Sequence, residues 1–248
     1  MKKAITHFAI GLSCLALSGC QFIIGDEDNW KNLSYLRTVN LIAPQIDVQN
    51  TDSKGTWTED LATNLNYGDY SARIKFDLGS DEQRDYLIKA IDSNTREDIV
   101  ETHRVTLEQG MEYLLYQYGD VEQTGLTRPS MRRSQIFTTD VGTDLIRLRF
   151  IHTYPQYWQD IDIYVDDYRR ASDLSYGQVS TTSYINVSTS GGYRLRVVKA
   201  NLNPDVTENQ LLDTNLYLDN ESSYQVFVTP KSSSQSQVSL LRYKEPTD

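Results

Sequence analysis

The sequence predicts an all-β protein, two tandem antiparallel β-sandwich domains, and three observations predict it. Apolar residues recur with a period of two in runs rich in β-branched and aromatic side chains, the mark of half-buried strands. No stretch carries a sustained helical stripe, apart from a short turn expected at Pro204 to Gln210. Short segments recur in the same order along the two halves of the chain, the mark of a duplicated unit.

Ile161, Ile163 and Val165 are expected to face one way, and Asp160, Asp162, Tyr164 and Asp166 the other. Tyr193, Leu195 and Val197 alternate in the same manner with Arg194 and Arg196, and Leu216 and Leu218 with Asn215, Tyr217 and Asp219. One face of each strand is therefore expected to be dry and the other wet. Clusters such as Glu108-Gln109-Gly110 and Asp219-Asn220-Glu221-Ser222 separate the runs, so neighbouring strands are expected to pair antiparallel. About seven strands in roughly 100 residues is the density of an immunoglobulin-like sandwich.

The repeat is carried by short matches. Leu36-Arg37-Thr38-Val39 aligns with Leu148-Arg149-Phe150-Ile151, and Ile46-Asp47-Val48 with Ile161-Asp162-Ile163. Asn64-Leu65-Asn66-Tyr67-Gly68 aligns with Asp173-Leu174-Ser175-Tyr176-Gly177, and Ile88-Lys89-Ala90 with Val198-Lys199-Ala200. Glu112-Tyr113 aligns with Ser223-Tyr224, and Ser134-Gln135-Ile136 with Ser236-Gln237-Val238. The expected domains are residues 33–140 and 145–248, joined near Val141-Gly142-Thr143-Asp144.

Upstream of the first strand lie Lys2 and Lys3, an apolar run from Phe8 to Leu17, and then Leu17-Ser18-Gly19-Cys20. This is the layout of an export signal, and its last four residues resemble a bacterial lipobox. The resemblance implies a signal peptide over residues 1–19, cleavage between Gly19 and Cys20, a lipid-modified Cys20, and a tether over residues 20–32. The alternative, an uncleaved membrane helix, needs about 20 apolar residues, and His7, Gly11, Ser13, Ser18, Gly19 and Gln21 interrupt the run. Several acyl chains on one terminus hold a protein in the bilayer where a single chain does not. Gln21 stands where an aspartate would resemble an inner-membrane retention signal, so the expected address is the outer membrane, at its periplasmic face or the cell surface.

The formal charge is −10, and loss of residues 1–19, which hold Lys2 and Lys3 but no acid, takes it to −12. Such a body repels nucleic acid and anionic headgroups, so no nucleic-acid partner is expected and membrane contact falls to the lipid anchor. Of the two cysteines, Cys14 leaves with the signal and Cys20 carries lipid, so no disulfide or thiolate metal site is expected in the fold. The covalent lipid at Cys20 is the sole expected prosthetic group. His103 and His152 fall in different halves and lack a ligand-like spacing, so no metal site is expected. There is no Gly-x-Ser-x-Gly elbow, phosphate loop or Ser-x-x-Lys motif, so an enzyme is not expected. His152 is expected to hydrogen-bond loop backbone. The acidic run Asp160, Asp162, Asp166 and Asp167 is expected to be a solvated sheet face, because alternate strand carboxylates stand about 6 to 7 Å apart, too far for a calcium cage.

Leu148-Arg149-Phe150-Ile151-His152-Thr153-Tyr154-Pro155, Ile161-Asp162-Ile163-Tyr164-Val165-Asp166, Leu174-Ser175-Tyr176-Gly177 and Gly192-Tyr193-Arg194-Leu195-Arg196-Val197 resemble a bacterial envelope family, domain of unknown function 4397. The resemblance is expected over residues 33–244. The first copy departs at Asn40, where the family has histidine, and the second at Gln156-Tyr157-Trp158-Gln159. It implies an extracytoplasmic β-sandwich, often repeated and lipid-anchored, and carries over no activity.

Two surfaces are candidate binding sites. Tyr154, Tyr157 and Trp158 fall in an insertion of the second copy and Trp57 in an insertion of the first, and such aromatics suit sugar rings or peptides. Arg128, Arg132 and Arg133 are expected in a long hairpin loop of the first copy, suited to phosphates or an acidic partner. The expected function is a lipid-anchored, noncatalytic module that binds envelope protein or organises the cell surface. Glycan or peptidoglycan binding through the loop aromatics is the alternative, and a hydrolase without a recognisable motif a third.

Overall fold

The computed structural model describes residues 32–54, 56–187, 192–232 and 237–246. The signal peptide, Gly19, Cys20 and nearly all of the tether lie outside them. Among the described residues no helix is long and apolar enough to cross a membrane.

The first sandwich contains β1 (Leu33–Leu41), β2 (Ile46–Thr51), β3 (Thr58–Leu65), β4 (Ile74–Asp77), β5 (Gln83–Asp92), β6 (Asp98–Glu108), β7 (Glu112–Tyr118) and β8 (Ser130–Ile136). The second contains β9 (Leu145–His152), β10 (Ile161–Val165), β11 (Tyr168–Leu174), β12 (Ser183–Asn186), β13 (Gly192–Lys199), β14 (Gln210–Tyr217), β15 (Ser223–Pro230) and β16 (Val238–Lys244). Each sandwich thus has eight strands, one more than expected. The sheets run β4-β1-β7-β8 and β3-β2-β5-β6 in the first, and β12-β9-β15-β16 and β11-β10-β13-β14 in the second. The two topologies are the same. Between β13 and β14 the only helical turn is a 3-10 turn at Thr207–Asn209, inside the stretch expected to turn.

Consecutive strands that pair do so antiparallel, as expected. The turns at Glu108-Gln109-Gly110 and Asp219-Asn220-Glu221-Ser222, however, carry β6 to β7 and β14 to β15 from one sheet to the other, and one pair in each half runs parallel. β1 lies parallel to β7, and β9 parallel to β15. These strands are joined by most of a domain, not by a hairpin, so nothing forces them to run in opposite directions. The same pairs fix how the copies correspond: Leu36 stands opposite Tyr113, and Leu148 opposite Tyr224. Two of the sequence matches are out of register by this standard. Ala90 faces Val48 as Val197 faces Ile163, three residues before the expected Ala200. Ser130 faces Tyr118 as Ser239 faces Thr229, so the Ser134-Gln135-Ile136 match also slips.

Each sandwich closes on its own apolar core, with Leu36, Ile46, Val48, Ile88, Tyr113 and Leu115 in the first and Leu148, Phe150, Ile161, Ile163, Leu195 and Val226 in the second. The outer faces are not uniformly wet. Asp162 is buried, because its carboxylate accepts the backbone N–H of Asp173 (2.9 Å) and of Asn201 (3.2 Å) and pairs with Arg169 at 3.4 Å. Its counterpart Asp47 accepts the N–H of Asn64 at 2.8 Å and the Ser93 hydroxyl at 2.7 Å, and pairs with Arg96. Burial raises the Asp47 pKa, but these donors outweigh it and the net shift is downward. Both carboxylates clamp a β-bulge whose residue is left-handed, Asn64 at φ 56° and Asp173 at φ 48°. Asp166 and Asp167, also at positive φ, form the two-residue hairpin between β10 and β11, the backbone that a primed turn requires. Arg196 is buried as well, on Asp167 (2.6 Å) and Asp205 (2.8 Å).

A third core cluster lies between the sandwiches. It gathers Val39, Leu41, Leu114, Tyr116, Tyr118 and Ile136 of the first with Ile151, Phe227 and Tyr243 of the second. The contacts are reciprocal. Tyr116 and Phe227, equivalent positions, meet edge-on with ring centroids 5.6 Å apart. Tyr67 donates its hydroxyl to the Pro230 carbonyl at 2.6 Å and lies 2.9 Å from the Thr229 hydroxyl, while its counterpart Tyr176 packs on Tyr118, the counterpart of Thr229, at 5.3 Å. Such i-to-j and j-to-i contacts define a pseudo-twofold, isologous interface. Gly177 (φ 76°) lets Tyr118 approach, since a Cβ there would fall 2.2 Å from the Tyr118 hydroxyl. The connection between the sandwiches is also tied down: Arg147 donates to the carbonyls of Thr139 (3.3 Å) and Asp140 (3.2 Å).

A candidate binding cleft at the domain junction

The two halves differ in five connections, and three of them hold the candidate binding residues. The β7–β8 loop has eleven residues, 119–129, against seven, 231–237, between β15 and β16. The β9–β10 connection has eight, 153–160, against four, 42–45, between β1 and β2. The β2–β3 hairpin has six, 52–57, against two, 166–167, between β10 and β11. Through the pseudo-twofold packing, the first two of these insertions meet.

The β7–β8 loop is self-supporting. Asp120 donates its N–H to the Thr127 carbonyl at 2.9 Å and accepts the Glu122 N–H on its carboxylate at 3.0 Å. Gly119 sits at φ 125°, and a Cβ there would meet the Arg128 carbonyl oxygen at 2.6 Å, so this closure needs glycine. A 3-10 turn at Gly125–Thr127 presents Leu126, 73% exposed.

The β9–β10 connection is braced from below by His152, which is fully buried. Its Nε2 lies 3.0 Å from the Gln159 carbonyl, and its Nδ1 3.4 Å from the Tyr154 N–H. A carbonyl only accepts and an N–H only donates, so the ring is neutral with its proton on Nε2. Burial drives its pKa from 6.5 down to about 4, against weaker upward pulls from loop backbone and Asp160. Asn40, the counterpart, does the same work: its Oδ1 accepts the Ile42 N–H at 2.8 Å and its Nδ2 donates to the carbonyls of Leu65 (2.9 Å) and Pro44 (3.0 Å). The expectation that His152 bonds loop backbone therefore holds in atomic detail.

Tyr154 is not a surface residue. It is buried in the core of the second sandwich, with Tyr157 packed against that core, because the connection folds its first half inward through a 3-10 turn at Pro155–Tyr157. Trp158 alone of the three points out, 47% exposed.

Trp158 and Leu126 line one cleft of about 440 Å³, with Tyr118 and Tyr176 on its apolar side. Arg128, Arg132 and Asp160 supply charge, and Ser130 and Ser175 supply hydroxyls. Arg128 stands 4.0 Å from Glu101, an exposed pair worth little. Arg132 has no salt-bridge partner among the described residues. Both arginines also act on His103 in β6, whose pKa burial lowers, Glu101 opposing and the arginines adding.

Two expected candidates fall elsewhere. Arg132 and Arg133 are strand residues of β8, not loop residues, and Arg133 stacks on Tyr113 at 4.3 Å and pairs with Glu108 at 3.3 Å, away from the cleft. Trp57, 51% exposed, sits in the hairpin at the far end of β2 from the β1–β2 connection. A second groove of about 370 Å³ along β11 has Arg169 and Arg170 in its wall but no aromatic face. Sequence reading treated the aromatics and the arginines as separate surfaces, and it missed Leu126, Tyr118 and Tyr176.

No curated protein matches this chain. Among solved structures, similarity is found to the crystal structure of CBMbc, family CBM26, from Eubacterium rectale Amy13K in complex with maltoheptaose, at 12% identity over 87% of this chain and 98% of that one. The TM-score is 0.23, too low to transfer either fold or ligand. The family model described as "Domain of unknown function (DUF4397)" matches residues 146–248, so the second sandwich resembles that family, while the expected resemblance over the first half is not part of the match.

Proposed function

We propose that this protein is a lipid-anchored, noncatalytic binding module of the outer membrane, made of two copies of one sandwich over residues 33–140 and 145–248. Leu17-Ser18-Gly19-Cys20 supports the anchor, with lipid on Cys20 as the one attached group. The observation that carries the binding role is the meeting of the two copy-specific insertions: an exposed Trp158 and Leu126 share one cleft with Arg128 and Arg132. Exposed apolar side chains gathered in one groove, unlike scattered ones, mark interaction sites. The partner is an envelope protein or glycan, and the mixture of flat apolar faces, hydroxyls and charges favours the glycan.

Residues 20–248 with Cys20→Ser, immobilised and exposed to solubilised envelopes and to peptidoglycan sacculi, are expected to retain a specific component that Trp158→Ala loses at least tenfold. Retention unchanged by Trp158→Ala, or none at all, overturns the reading. Incorporation of labelled palmitate, abolished by Cys20→Ser, tests the anchor separately.

A further inference from the structure

We propose that the junction cleft binds an acidic saccharide, a pyranose ring lying on Trp158 with its carboxylate or phosphate held by Arg128 and Arg132; the inference rests on the binding-module reading above. The charge in the cleft runs against that of the molecule. A chain of formal charge −10 places two arginines here against one lining carboxylate, Asp160. Although Arg128 pairs with Glu101, Arg132 has no salt-bridge partner among the described residues, which leaves it as the cation for an anion.

Guanidinium groups take carboxylates and phosphates through paired N–H donors, and an indole face covers the C–H face of a sugar ring. Asp160 and the hydroxyls of Ser130 and Ser175 add acceptors within the same walls. A saccharide carries hydroxyl donors beside its anion, whereas a run of acidic side chains would bring further negative charge against Asp160. The volume lies in the range of small-ligand sites. Among the described residues the first sandwich has no counterpart of Trp158, because its β1–β2 connection is only the four residues 42–45.

The anion has two sources, a uronic-acid polysaccharide or the phosphorylated core of lipopolysaccharide, and titration calorimetry of the Cys20→Ser body against each separates them. The probes are oligogalacturonate, its neutral methyl ester, and deacylated core oligosaccharide. One acidic probe is expected to bind, the ester at least tenfold more weakly. Trp158→Ala is expected to weaken binding at least tenfold. Arg132→Gln is expected to weaken it and flatten its salt dependence, with Trp57→Ala unchanged. Failure of both acidic probes, equal binding of the ester, or indifference to Trp158→Ala overturns the proposal. Failure here together with Trp158-dependent capture from envelopes removes the acidic sugar and leaves the binding module standing.

Discussion

Glu245→Ala is expected to destabilise the protein by about 3–5 kcal/mol, a large effect for a residue three positions from the end of the chain. Its carboxylate is fully buried and pairs with Arg149, itself nearly buried, while accepting the Ser223 hydroxyl and the Gln225 amide at 2.7 Å. Arg149 also donates to the Gln135 carbonyl of the first sandwich, and Gln225 reaches the same oxygen at 3.2 Å. Truncating the glutamate leaves a guanidinium without its counter-ion where burial already lowers its pKa. The penalty is chiefly that orphaned charge, so the double change Arg149→Leu with Glu245→Leu should recover most of the loss. Urea midpoints at constant m measure both, and a double variant no better than Glu245→Ala would contradict this account.

Stability is expected to fall by about 3 kcal/mol between pH 6.5 and 4 through His152 alone. The folded pKa is depressed to about 4 from 6.5. Within that window the unfolded chain therefore binds the proton and the folded one does not, and stability rises with pH. Above pH 6.5 the full contribution is present. Protonation in place would turn an N–H on Nδ1 against the Tyr154 N–H and break the brace under Trp158. His152→Asn, the residue already present at the equivalent Asn40, should keep much of the brace and remove this part of the slope. Unfolding free energies at pH 4.5 and 7 for both proteins decide it, and an unaltered slope in the variant would refute the role given to His152.

The period-two pattern made the strands legible, since inward residues such as Ile161, Ile163 and Val165 differ chemically from their neighbours. The correspondence between the two halves was legible where backbone geometry selects residue type. Asn64 and Asp173 supply the left-handed bulge, and Leu36 and Leu148 enter the two cores. It slipped along β5, where Ile88 and Ala90 fit any inward apolar position, and along β8, where the match rested on Ser134 and Gln135, polar residues that no buried position selects. The wet face was misread at Asp162 and Arg196, because alternation says which way a side chain points but not what covers it. The same blindness hid the cleft. Arg128 and Trp158 are 30 positions apart, and only the reciprocal packing of Tyr116 on Phe227 brings their loops to one place.

That packing is the foundation of the site, and scanning calorimetry of the Cys20→Ser body measures it. Nine fully or nearly buried side chains shared by both sandwiches couple their unfolding. One endotherm is predicted, with calorimetric and van't Hoff enthalpies equal; two endotherms, each with the enthalpy of a single sandwich, would contradict it.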